Sequence, residues 1–314
     1  MERRNKFSRN SNARVRLAIV LLTVALGVAA LSQIGNQSTA SVDNSVHPVV
    51  IPQAPPPGSL FDNIVIIVME DHGINQICAQ SPPLCSSANG APFLAGLANN
   101  YSIGSQYVGV SHFSQADYIA LLGGDIYGCI AFPCARSAHV NLVDRLEAKG
   151  LTWKGYMENQ ALSSGCDINP NPNSNPLYTP EHNPFVFFTN ILNNATRCSH
   201  IVQANPTNCV VTDCPLITDL NSLSAPNFMW LTPNDCNNMH GSTGNCSTSI
   251  PSGDNYLSSL VPNILGSTTF KNKRAALSVV FDEGEGFCPR NIPSSKDCVY
   301  AVWAGSGVKT SFGS

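Results

Sequence analysis

Short apolar runs that stop abruptly on polar side chains recur along this chain, with amphipathic stretches between them. The strongest lies within residues 61–75. Residues 64–69 are unbroken apolar and rich in β-branched side chains, the composition of a strand buried on both faces of a sheet. The run ends on Glu70, Asp71 and His72. Residues 274–285 have the same form, an apolar strand followed by Asp282, Glu283 and Gly284. Further strands are predicted over 101–110, 151–157, 227–232 and 299–304. Helices are predicted over 92–99, 116–122, 141–149 and 253–266, the last kinked at Pro262. Residues 185–192 are apolar and fit a helix or a strand, and 193–225 read as a cysteine-bearing insertion. Strands that alternate with helices predict a doubly wound, mainly parallel α/β sheet with helices on both faces.

In such sheets ligands bind beyond the carboxyl ends of the strands. Two buried strands, far apart in sequence, that both end in paired acids point to one cation site. Carboxylates suit Mg, Ca and Mn, and also Zn or Fe when histidine joins them; the competing reading is two acidic turns, since Asp before Gly is turn chemistry. Ser114 stands where the helix at 116–122 begins. It is either an N-cap or a nucleophile whose attached phosphate would face free backbone N–H groups and the positive end of a helix. His182, in a polar loop before Pro184, is a site residue or an ordinary surface histidine.

Charge and cysteine content narrow the class. The chain has 314 residues, 43% of them hydrophobic and 12% charged, enough for one large α/β domain. The formal charge of −3 conceals an asymmetry, because 6 of the 17 Lys and Arg fall within the first 16 positions. Beyond residue 34, 11 basic residues face 19 acidic ones. An acidic body without a basic stripe excludes a nucleic-acid-binding role, and no protein partner is indicated. The basic start is followed by an apolar stretch at 17–31 that is shorter than the ~20 residues of a full span. It fits a secretory signal or an N-terminal signal anchor attached to the membrane, with the remainder outside the cytoplasm. The expected organisation is a leader at 1–34, a Pro-rich linker at 35–59 and a catalytic domain at 60–314. The 12 cysteines fit export. Plausible local staples are 78–85, 129–134, 209–214, 236–246 and 288–298, which leaves 166–198, though spacing alone does not fix connectivity.

The blocks IVIIVMEDHGINQI, SHFSQADYIALLGGD, TWKGYMEN, EHNPFVFF, NFMWLTPNDCNNMHG and LSVVFDEGEG occur in that order. Together they resemble the phosphoesterase family of phospholipase C and acid phosphatase type, within the alkaline-phosphatase-like superfamily. The His-Asn-Pro-Phe block is more similar to the acid phosphatase branch. The resemblance implies metal-dependent hydrolysis of a small phosphate ester through a phosphoserine, with Ser114 as nucleophile. It implies a divalent metal ion held by Glu70, Asp282, Glu283 and Ser114, phosphate contacts at Asp71, Asp117 and His112, and catalytic roles for His240 and His182. The alternatives are a phospholipase C-type diesterase acting on phospholipid headgroups, and an inactive secreted member that only binds metal or ligand. Asp71 and Asp117 stand where the family usually has Asn, and Asn238 where Asp is common. Two added carboxylates are expected to recruit a second cation or to move the optimum to low pH. The resemblance also implies a further His-Tyr-Ser-containing segment beyond residue 314.

Overall fold

The computed structural model describes residues 60–80, 84–169, 177–242, 245–284 and 298–313. The expected leader and linker lie outside these residues, as does Cys288. Strand β1 (Asn63–Met69) forms the centre of a sheet that also contains β2 (Ser102–Ile103), β3 (Trp153–Met157), β4 (Ile201–Gln203), β5 (Phe228–Thr232), β6 (Ala275–Phe281), β7 (Ala301–Ala304) and β8 (Phe312–Gly313), in the order β4-β3-β5-β1-β6-β7-β2-β8. The five strands from β4 to β6 run parallel. β7 pairs antiparallel with both β6 and β2, and β8 pairs parallel with β2.

Alternation along β1 shows why the sheet needs cover on both sides. Val65, Ile67 and Met69 enter one apolar core with Leu94 and Leu97 of helix Pro92–Asn100 and Leu257, Leu260 and Val261 of helix Ile250–Leu265. Val68, flanked by Ile64 and Ile66, enters a second core with Tyr118, Ile119 and Leu122 of helix Ser114–Gly123 and with Phe185 and Trp230. Apolar runs with both faces buried are what a parallel strand between two helical layers requires. The doubly wound α/β expectation therefore holds.

Three local expectations are corrected. The strand expected over 101–110 is continuous only at Ser102–Ile103, with an isolated antiparallel bridge further on between Val108 and Cys298. Beyond Gly104 the regular ladder stops, the Tyr107 carbonyl accepts from the Val299 N–H at 3.0 Å, and the chain passes the end of β6 so closely that a Cβ on Gly109 would lie 3.0 Å from the Asp282 carbonyl oxygen. Residues 185–192 form neither a single helix nor a strand; Pro184–Val186 is a 3₁₀ turn and Thr189–Leu192 a short helix. The insertion at 193–225 supplies the edge strand β4 and the helix Cys214–Leu220. Periodicity could not reveal β4, because three residues are too few to show a period.

Disulfides join Cys78–Cys85, Cys129–Cys134, Cys166–Cys198, Cys209–Cys214 and Cys236–Cys246, as the spacing suggested. They place the folded domain in an oxidising, extracytoplasmic setting. Among the described residues no helix is long and apolar enough to cross a membrane.

Candidate active site

Register builds the site. Met69 of β1 pairs with Phe281 of β6, so the two strands end level. The next residues, Glu70 and Asp282, emerge side by side, with the Asp282 N–H donating to the Met69 carbonyl at 3.1 Å. The two acidic turns then pack backbone against backbone. A Cβ on Gly284 would lie 2.2 Å from the Gly73 nitrogen, so only glycine fits there. Asp71 adopts φ 60°, a left-handed conformation that Asn and Asp tolerate best, and its N–H donates to Asp282 Oδ1 at 3.2 Å.

Helix Ser114–Gly123 brings the hydroxyl. Asp117 accepts from the Ser111 N–H at 2.8 Å and so fixes the turn that leads into the helix. Ser114 occupies the first helical turn, and its Oγ donates to Glu283 Oε1 at 3.0 Å. The other Glu283 oxygen lies 2.9 Å from His112 Nδ1. One turn further along the helix, Tyr118 stacks on the ring of His182 at 5.3 Å. His182, only 3% exposed, places Nε2 3.5 Å from Glu70 Oε1 and Nδ1 3.3 Å from Asp235 Oδ1. The exposed His240 meets the edge of the His182 ring at 5.3 Å. Its backbone N–H is held by Asn238 Oδ1 at 2.9 Å.

The residues read from sequence as Glu70, Asp71, Asp117, Asp282, Glu283 and Ser114 thus gather at one sheet edge, and His112, His182 and His240 surround them. Asp235 and Tyr118 were not singled out from sequence. The cluster of polar residues after β5 hinted at Asp235. Tyr118 gave no signal beyond an i, i+4 relation to Ser114, which places both side chains on one helix face.

Burial sets the electrostatics. It pushes the Glu70 carboxyl well above its ordinary pKa, Asp282 and Asp71 add to the shift, and the Tyr118 hydroxyl opposes it. Asp282 is raised for the same leading reason, with Asp71 and Glu283 as repelling neighbours. Burial, with Glu283 as a repelling neighbour, moves Asp117 to about 6, although backbone N–H groups pull the other way. Two acidic groups, Glu70 with Asp71 and Asp282, and Asp117 with Asp282 and Glu283, have oxygens within 4.8 Å of one another and share Asp282. Both Glu70 carboxylate oxygens and Asp282 Oδ2 are buried without a hydrogen-bond partner. Buried carboxylates in that condition are costly unless neutralised, so the residues present fit a cation. The all-oxygen donor set is that of a hard divalent ion.

Comparison with known proteins identifies the family and the fold. The profile of the Phosphoesterase family matches residues 86–308. The chain is 27% identical over 200 residues to a phosphate-repressible acid phosphatase of Penicillium chrysogenum, covering 62% of this chain and 44% of that one. It is 25% identical over 238 residues to a phosphatidylinositol-3-phosphatase of Mycobacterium tuberculosis, covering 74% of this chain and 67% of that one. The chain spans less than half the length of the fungal acid phosphatases it matches. A crystal structure of an alkaline phosphatase superfamily protein from Vibrio parahaemolyticus superposes with a TM-score of 0.52 at 15% identity, over 79% of this chain and 61% of that one, a likeness of fold alone.

Proposed function

This chain belongs to the Phosphoesterase family, and on that premise we propose that it hydrolyses phosphate monoesters by a metal-dependent, acid-phosphatase-like reaction through a phosphoserine at Ser114. The observation that carries this is the contact of Ser114 Oγ with Glu283 beside the buried carboxylates of Glu70 and Asp282, of which both Glu70 oxygens and Asp282 Oδ2 lack hydrogen-bond partners.

A divalent cation held by Glu70, Asp282 and Glu283 would neutralise phosphoryl charge and ease ionisation of the Ser114 hydroxyl. The chain's own groups supply the rest. Ser114 Oγ attacks phosphorus, its proton passes to Glu283 at 3.0 Å, and the bond to the alcohol oxygen breaks in line. His240, exposed beside His182, is assigned the protonation of the departing alcohol. Water then attacks the phosphoserine phosphorus and releases phosphate and the serine hydroxyl. A phosphoryl group on Ser114 would lie in the first turn of helix Ser114–Gly123, where the positive end of the helix favours an anion. His182 is buried between Glu70 and Asp235, with its ring nitrogens 3.5 and 3.3 Å from their oxygens, and is assigned a positioning role toward Glu70. Asp71 and Asp117 each join one of the two acidic groups that share Asp282, which supports the expectation that these departures from the family's Asn recruit a second cation.

The name of the mycobacterial relative favours a second reading, a monoester on an inositol lipid headgroup. Hydrolysis of p-nitrophenyl phosphate, p-nitrophenyl phosphorylcholine and phosphatidylinositol 3-phosphate, each with and without EDTA, tests both. EDTA-sensitive turnover of p-nitrophenyl phosphate that disappears in Ser114→Ala is expected. Exclusive turnover of the choline ester would reassign the chain as a diesterase, and turnover of none would leave a binding protein.

A further inference from the structure

A cavity of about 580 Å³ is lined by Gln115, next in sequence to Ser114, and by Glu181 and Asn183, which flank His182. Its walls come from the elements that carry the chemistry. Gln115 and Ile119 lie on the helix that bears Ser114, one face round from Ser114 and Tyr118, while Thr179, Pro180 and Glu181 belong to the turn that bears His182. The third wall is the loop closed by the Cys129–Cys134 disulfide, pinned to the helix by a hydrogen bond from the Cys134 N–H to Gln115 Oε1 at 2.9 Å. The lining is mostly apolar, and Phe132 and Ile168 are large side chains left 57% and 38% exposed there.

Arg136 lies on the same rim. It is exposed and forms no ion pair with an acidic side chain among the described residues, unlike Arg197 with Asp144 and Glu147 or Arg274 with Asp62. A guanidinium without an acidic partner among the described residues, on the lining of a mostly apolar cavity, fits an anion on a ligand. Glu181 shares the lining, with His182 and His240 as attracting neighbours and Asp235 as a repelling one.

We propose that this cavity receives the alcohol portion of the phosphate ester, and that it selects an aromatic alcohol carrying a second anionic group, which Arg136 binds. This rests on the phosphate-ester reading of the Ser114 site. It adds specificity, because the carboxylate cluster does not distinguish one alcohol from another.

The test compares kcat/KM for phenyl phosphate, 4-carboxyphenyl phosphate and glycerol 2-phosphate. The wild-type protein is expected to favour the carboxyphenyl over the phenyl ester by roughly tenfold, the effect of one charge-assisted contact. Arg136→Ala should collapse that ratio to near one, and Arg136→Lys should restore part of it. Phe132→Ser should lower both aryl esters relative to glycerol 2-phosphate. A ratio that survives in Arg136→Ala, or a uniform loss across all three esters, overturns the proposal. If the wild-type protein cleaves none of them, the phosphate-ester reading fails on its own. Calorimetry with benzylphosphonate and 4-carboxybenzylphosphonate then decides the cavity separately. An Arg136-dependent preference for the carboxylated probe keeps it, and equal binding removes it.

Discussion

Asp117 shows how much a single side chain carries here. Its oxygens anchor the turn before the Ser114 helix, yet the same carboxyl faces Asp282 and Glu283. With a pKa of about 6 in the folded chain and an ordinary value of 3.8, the folded state holds the proton more tightly. Stability of the metal-free protein should therefore fall as pH rises from about 4 to about 6, and Glu70 and Asp282 shift in the same direction. Thermal melts in EDTA should show a lower Tm at pH 7 than at pH 5. Asp117→Asn should flatten part of that slope, and a divalent cation should restore Tm at pH 7. A Tm that rises with pH in EDTA would contradict the burial of these acids. His182 is a second case. Removing its ring in His182→Ala leaves Glu70 and Asp235 without the group between them, and activity should fall by about 10- to 100-fold, as for other groups that orient a metal ligand. An unchanged kcat would show that Glu70 needs no such support. At this scale sequence reading reached Glu70, Asp282 and Ser114, because each follows a visible element boundary. It missed Asp235 and Tyr118, whose importance comes only from a ring packed between them.

At the scale of elements, the site depends on two strand ends meeting. Equal register of β1 and β6 brings Glu70 and Asp282 together, and Gly284 lets the following turns touch. Gly284→Ala should force the turns apart, with a stability loss of about 1–3 kcal/mol. Metal-dependent turnover should fall more steeply than Tm alone would explain. Retention of full activity would mean that the contact between the turns is not needed. Both strands were legible because long apolar runs ending in acids leave little ambiguity. The 101–110 segment was only partly legible, since its apolar composition suits a strand but regular pairing stops after Ile103 and returns only as a bridge at Val108. β4 was hidden by its brevity.

For the whole molecule, two helical layers and the five disulfides among the described residues hold a site whose buried carboxylates oppose folding when they are charged and no cation is bound. Cys166–Cys198 closes the longest loop of the five, with a sequence separation of 32. Converting both residues to alanine should cost about 3–4 kcal/mol on chain-entropy grounds. Because neither residue belongs to the acidic cluster, turnover below the new melting temperature should persist, and urea denaturation run alongside activity assays would check both halves. The doubly wound class was legible from alternation alone. Convergence of the acids was an inference from where such sheets bind ligands, and the family resemblance sharpened it into a reaction.

The most direct measurement is acid quenching of a phosphate-ester reaction during turnover, followed by peptide mass spectrometry. A site built as described gives a phosphate on Ser114 that forms with the divalent ion present and is absent in EDTA and in Glu70→Gln. Steady turnover with no phosphopeptide, or with the phosphate on another residue, would contradict it.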